Sequence, residues 1–270
     1  MPETSNKIVK TAINLVDDTF DTAQSENYHL SIQTERDRLS FCILNAAANQ
    51  YIVLRDYPFC STDPCALVSE CSSIFENDDF LGLKYKSSSH LWISSRCTLV
   101  PEHLFDEGET ESYLTFNHGS IAGELTLHHH IKSAGVYHIF SCPESLMNLL
   151  RLHQPDITLY HHATPFIESV IGMSSSIGLC MAVYFYSNCL DIAVVEYNRL
   201  LFYNTFQIST PEDSVYYLAG VSNLFAIDLS LTKLLYVRNS EHIPPEMAIL
   251  RNYVERIVDI KLIHLYRCES

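Results

Sequence analysis

The sequence predicts a duplicated α/β protein of two lobes, each with a mixed β-sheet and flanking helices. Three observations carry this. First, Tyr51–Phe59 (YIVLRDYPF) leads through Ser61-Thr62-Asp63-Pro64 into an apolar-periodic segment ending Ser73-Ile74-Phe75. Second, the same order returns as Leu200–Ile208 (LLFYNTFQI), Ser209-Thr210-Pro211 and a segment ending Asn223-Leu224-Phe225. Third, two strand-like runs joined by a short polar turn precede each block. The offset between copies moves from 148 residues at the caps to 150 at the helix ends, as a two-residue insertion would produce. A strand, a cap and a helix face that recur in one order mark an internal repeat.

Taken in order, residues 1–27 are polar and acidic, with a short apolar stretch at Ile13–Val16. They read as an arm carrying one helical turn or an edge strand. Tyr28–Gln33 and Leu39–Leu44 alternate apolar and polar residues and form a hairpin about Thr34-Glu35-Arg36-Asp37-Arg38. Tyr51–Phe59 is the third strand. Thr62 or Asp63 caps the following helix, with Pro64 in its first turn, where a missing amide proton costs least. Leu67, Val68, Cys71, Ile74 and Phe75 share one face of that helix. His90–Val100 is a strand, and Pro101-Glu102 opens a short helix.

The middle, Ser112–Ser141, reads as β structure broken at Gly119, Gly123 and Gly135. Pro143–Leu152 is a helix, Ile157–His161 a strand, and Thr164 with Pro165 caps a helix over Phe166–Gly172. The second copy then follows. Leu179–Tyr186 and Asp191–Glu196 form a hairpin, Leu200–Ile208 its third strand, and Pro211–Phe225 a helix. Lys233–Val237, a helix over Pro245–Ile257 and a strand at Ile260–Leu265 complete it. The domains expected are an arm at 1–27, a first lobe at 28–163 with a β-rich insertion near 111–141, and a second lobe at 164–270. Folds with two such halves commonly hold a ligand in the cleft between them, so the loops bordering that cleft are the candidate site.

Composition narrows the function. The chain has 270 residues, 47% of them hydrophobic, enough to bury a sizeable core. With 32 acidic against 17 basic residues its formal charge is −15, which repels a phosphate backbone, and no basic patch offsets it. Nucleic acid is therefore not expected as a partner. Met1–Lys10 lacks the apolar core of a signal peptide, and no run approaches the ~20 apolar residues of a membrane span, so membrane insertion is not expected. The nine cysteines are scattered through strand-like and helical segments and read as reduced, mostly buried residues of a cytoplasmic protein.

Three hairpinned strands followed by a helix and a strand, twice over, resemble the actin-like ATPase fold of the ribonuclease H-like group. The segments Thr98–Phe105 (TLVPEHLF) and Leu159–Phe166 (LYHHATPF) resemble those of a bacterial domain-of-unknown-function family with that fold. By topology the resemblance spans about residues 28–265, and the layout is similar to pilus-assembly and cell-division members. It implies three loops at a nucleotide site. Two are hairpin turns with an Asp and a Gly for the phosphates and metal, and the third is a Gly-rich turn against adenosine. At those positions stand Thr34, Glu35, Arg36 and Asp37, then Ser187 and Asn188 with Asp191 nearby, then Asn239 and Ser240. None of the three turns contains glycine. A Cβ at each opposes close backbone approach, and a misplaced acid removes electrostatic stabilisation of phosphoryl transfer.

The expectation is a degenerate ATPase fold without cofactor or catalytic residues, acting as an interaction, regulatory or scaffold subunit for a protein partner. The alternative is a nucleotide-binding protein with atypical phosphate loops. Asp191 reads either as a displaced metal-binding acid or as a solvated edge residue opening its strand. Glu35-Arg36-Asp37-Arg38 reads as an acidic pair or as a self-neutralising exposed turn. His128 and His130 share a strand face and could reach one ion, but need a third ligand from elsewhere, and His138, His153, His161 and His162 match no metal-binding spacing. Cys60, Cys65 and Cys71 likewise suit neither a zinc site nor a redox pair. Sixteen tyrosines, including Tyr184, Tyr186, Tyr197, Tyr203, Tyr216 and Tyr217 in the second half, read as core packing or as an aromatic surface for a partner.

Overall fold

The computed structural model describes residues 11–61, 63–238, 244–254 and 256–261. The elements run β1 (Ile13–Val16), β2 (Tyr28–Thr34), β3 (Arg38–Asn45), β4 (Gln50–Pro58), α1 (Leu67–Asn77), β5 (Ser87–Trp92), β6 (Cys97–Pro101) and α2 (Thr110–His118). Then come β7 (Glu124–Ile131), β8 (Val136–Pro143), α3 (Glu144–His153), β9 (Thr158–His161) and α4 (Ala163–Ile177). The second copy is β10 (Cys180–Tyr186), β11 (Cys189–Glu196), β12 (Arg199–Gln207), α5 (Pro211–Leu224), β13 (Lys233–Arg238), α6 (Pro245–Leu250) and β14 (Ile257–Lys261).

Two larger sheets repeat one plan. The first has the order β1-β4-β3-β2-β5-β9 and the second β12-β11-β10-β13-β14. With β1 set aside the two orders coincide. In each, three antiparallel strands form a meander, and two further strands add in parallel beside its first strand. Even the irregularity recurs. Register shifts between Ile43 and Leu44 in β3 and between Val194 and Val195 in β11, the same place in each strand. A third, small sheet has the order β6-β8-β7.

The chain divides into two compact units. One comprises residues 1–98, 106–128 and 139–162; the other comprises 99–105, 129–138 and 163–270. In the first, alternation puts Leu30 and Ile32 of β2 and Leu39, Phe41 and Ile43 of β3 into the core. Leu67, Cys71, Ile74 and Phe75 form the buried stripe of α1, which packs beside α3. In the second, Met181, Val183, Leu190, Ile192 and Val194 meet Leu218 and Val221 of α5 and Met247 and Leu250 of α6 on one sheet face. Full burial of each such side chain contributes roughly 1.5–3 kcal/mol. Helix α4 covers the opposite face, against β10 to β13. Helix α5 starts at a capping box in which Thr210 and Asp213 satisfy each other's backbone amides.

The structure departs from the sequence reading at α1, which opens at Leu67 without a side-chain cap, behind a separate 3-10 turn over Pro64–Ala66, and in four further places. Thr110–His118 is helix rather than β structure, because tertiary hydrogen bonds stabilise its far end. Arg96 donates from Nη1 to the His118 carbonyl at 2.9 Å and from Nη2 to the Gly119 carbonyl at 3.0 Å, while its Nε meets Glu124 at 2.9 Å. The single strand expected over His90–Val100 is divided between β5 and β6, which belong to different sheets. The helix from Pro245 ends at Leu250, and the closing strand begins at Ile257. Helix α4 begins at Ala163, so Thr164 and Pro165 lie within its first turn.

Candidate functional site

The first turn begins where β2 ends. Thr34 is fully buried, its Oγ1 lies 2.9 Å from His90 Nε2, and its carbonyl accepts from the Ile93 amide at 3.1 Å. Burial pulls the His90 pKa down to about 3, so the ring is neutral near pH 7. Glu35 is buried too, its carboxylate accepting from Gln33 Nε2 at 2.9 Å and its amide donating to the Arg38 carbonyl at 2.9 Å. Arg36 is exposed. Asp37 Oδ1 lies 3.5 Å from Arg38 Nε, and the Asp37 carbonyl accepts from the Phe59 amide at 2.7 Å. The expectation of an exposed turn is thus corrected for Glu35. It continues the strand alternation of His29, Ser31 and Gln33, and lies on their side of the sheet.

The second turn is tighter than expected. Tyr186 and Cys189 pair directly, leaving Ser187 and Asn188 as a two-residue loop and placing Cys189 and Leu190 within β11. Ser187 has φ of 46°, in the left-handed region that primed hairpin turns require and glycine or asparagine usually supplies. The Asn188 carbonyl accepts from the Ile208 amide at 2.9 Å. Asn239 and Ser240, the third turn, lie outside the described residues.

Asp191 is neither displaced nor solvated. It is the third residue of β11, fully buried, with Tyr184 opposite it on β10 and Thr205 on β12. Tyr186 donates to Oδ1 at 3.1 Å, Thr205 to Oδ1 at 2.7 Å and Tyr203 to Oδ2 at 2.8 Å. Phe166 of α4 roofs the cluster, its ring centroid 6.2 Å from those of Tyr184 and Tyr203. The solvated-edge reading fails because the hairpin closes two residues earlier than expected and draws Asp191 into the sheet. Three hydroxyls offset the desolvation of the carboxylate. Tyr186, Tyr203 and Thr205 were not singled out from the sequence as its partners. The available signal was the i, i+2 spacing of Tyr184 with Tyr186 and of Tyr203 with Thr205, which puts each pair on the sheet face of Asp191 once the hairpin register is known.

The histidine run behaves as strand structure. His130 stacks on Tyr137 with centroids 4.5 Å apart, and its Nε2 lies 3.5 Å from Glu102. Among the described residues, neither His128 nor His130 belongs to a group of three closely placed metal-ligand atoms.

Residues 17–257 match a family described as proteins of unknown function, DUF3822. The chain belongs to this family. Among solved structures it is similar to a protein of Bacteroides thetaiotaomicron with an actin-like ATPase fold and unknown function. The two share 25% identity and a TM-score of 0.80 over 90% of this chain and 94% of that one. It is also similar to a structure described as the PilM-PilN type IV pilus biogenesis complex, at 9% identity and a TM-score of 0.54 over 88% of this chain and 89% of that one. No curated protein matched the chain. Its fold is that of the actin-like ATPases, and the repeated sheet order gives the duplication on which that fold is built. Among the described residues, no helix is long and apolar enough to cross a membrane.

Proposed function

We propose that this DUF3822 protein is a degenerate member of the actin-like ATPase fold that binds another protein, as a scaffold or regulatory subunit of the cytoplasm, and does not turn over nucleotide. The observation that carries this reading is the state of Asp191. A carboxylate that directs a metal and water must be reachable by both, and this one is fully buried inside a sheet, where three hydroxyls donate to it. The first turn supports the same reading, since Glu35 is folded back onto Gln33 and Arg38.

Support for a protein partner comes from the surface of the second unit, where Tyr197 is 73%, Tyr216 74% and Leu224 70% exposed. Tyrosine supplies contact area at low entropic cost and is enriched at interfaces. A similar fold is found in a protein of the pilus biogenesis complex, which is an assembly of proteins. The formal charge of −15 disfavours nucleic acid.

Calorimetric titration with Mg-ATP tests the reading. No saturable heat is expected, and a micromolar dissociation constant would establish the nucleotide-binding alternative instead. Affinity capture with the intact chain, repeated with Tyr216→Ala, then tests the partner surface. A specific bound protein lost in the variant supports it, and identical capture by both overturns the assignment of that surface.

A further inference from the structure

We propose that Ser87 and His29 form a nucleophile–base pair, and that Ser87 accepts carboxylic acyl groups from activated esters. This goes beyond the function proposed above and does not rest on it. Ser87 is the first residue of β5 and is exposed. Its register partner across the parallel β2–β5 pair is His29. Ser87 Oγ lies 2.8 Å from His29 Nδ1. On the far side of the ring, Nε2 lies 3.0 Å from Ser89 Oγ and 3.2 Å from Ser31 Oγ, and those two hydroxyls are 3.0 Å from each other.

The cluster supplies three parts of a serine-nucleophile site: an accessible hydroxyl, a base within hydrogen-bond reach, and further groups that orient the base. With the ring proton on Nε2, donated to the Ser89 and Ser31 hydroxyls, Nδ1 keeps its lone pair for the Ser87 proton. His29 is 8% exposed, and burial lowers its pKa, which keeps the ring neutral and able to accept a proton near pH 7. Small hydroxyl side chains contribute little apolar burial to a central strand pair. The opposite face of the same strand, Leu30 and Ile32, shows what packing alone selects.

The step balances without a further reactant. Ser87 Oγ forms a bond to the ester carbonyl carbon as its proton passes to His29 Nδ1. The carbon–oxygen bond to the leaving group then breaks, and the leaving alkoxide takes the proton from His29. The products are acyl-Ser87 and an alcohol. Lys86, exposed beside Ser87 in the chain, adds a positive charge next to that hydroxyl and favours donors that carry an anionic group.

The test treats the intact chain with a fluorophosphonate probe, in which the serine oxygen bonds to phosphorus and fluoride leaves, and maps the label by peptide mass spectrometry. The label is expected at Ser87 and to disappear in Ser87→Ala. His29→Gln should slow labelling about 100-fold or more, the usual contribution of a positioned general base. Circular dichroism checks that the variant is folded. If it is not, Ser89→Ala, which removes the nearer partner of Nε2, is expected to slow the reaction several-fold. Absent or scattered labelling of the folded wild-type chain overturns the proposal, and so does labelling of a folded His29→Gln or Ser89→Ala at the wild-type rate.

Discussion

Thr205 and Asp191 face each other across the β11–β12 pair, and the threonine hydroxyl donates to the buried carboxylate at 2.7 Å. With the two tyrosine hydroxyls this makes Asp191 a structural acceptor, held inside the sheet by three hydroxyl donors. Removing one donor should cost less than removing the acceptor that all three share.

Thr205→Val is therefore expected to destabilise the protein by about 1 kcal/mol, and Asp191→Ala by about 3 kcal/mol, since it leaves the buried Tyr186 hydroxyl and the half-buried Tyr203 and Thr205 hydroxyls without their acceptor. Urea unfolding of both variants measures this. Equal midpoints for the wild type and Asp191→Ala would show that the carboxylate is not structural.

Arg96 ties the end of α2 to β7 and β8. Besides the His118 and Gly119 carbonyls and Glu124, its Nε lies 3.2 Å from Ser141 Oγ, which itself donates to Glu124 at 2.5 Å. Arg96→Lys retains the charge but cannot reproduce the planar fork. A loss of roughly 2 kcal/mol is expected, with faster hydrogen exchange concentrated in Thr110–His118. Uniform exchange across the chain would contradict this role.

Burial of His90 makes stability depend on acid. Its folded pKa of about 3 lies below the ordinary histidine value of 6.5, so between those values the unfolded chain binds a proton that the folded chain does not. Stability is then unaffected above 6.5 and falls as pH drops towards 3, by up to about 1.4 kcal/mol per pH unit for one proton. His90→Gln should flatten that limb in a series of urea titrations. An acid limb as steep as the wild type's would reject the assignment.

Thiol reactivity should separate surface from core. Cys60 and Cys65 are exposed, whereas burial raises the pKa of Cys71 and Cys142 to about 12 and that of Cys180 to about 11. Native protein treated with iodoacetamide is expected to modify Cys60 and Cys65 first and the three buried thiols only on unfolding. Rapid native labelling of Cys71 would refute the burial argument.

The sequence by itself determined the repeated plan. Apolar alternation in Tyr28–Gln33 and Leu39–Leu44, the 3.6-residue stripe of α1 and the cap at Thr210 are local signals, and each element they specify is present. Loss of glycine from the first two turns was equally legible. What only the tertiary structure decided was the surroundings of particular side chains. Whether Asp191 meets water or three hydroxyls depends on a two-residue difference in hairpin length and on what β12 brings alongside. The end of the helix Thr110–His118 is held by Arg96, an arginine distant in sequence that donates to the His118 and Gly119 carbonyls. Local periodicity can report which face a residue takes, but the partner that satisfies a buried charge or a helix end is fixed by strand register and packing across the chain.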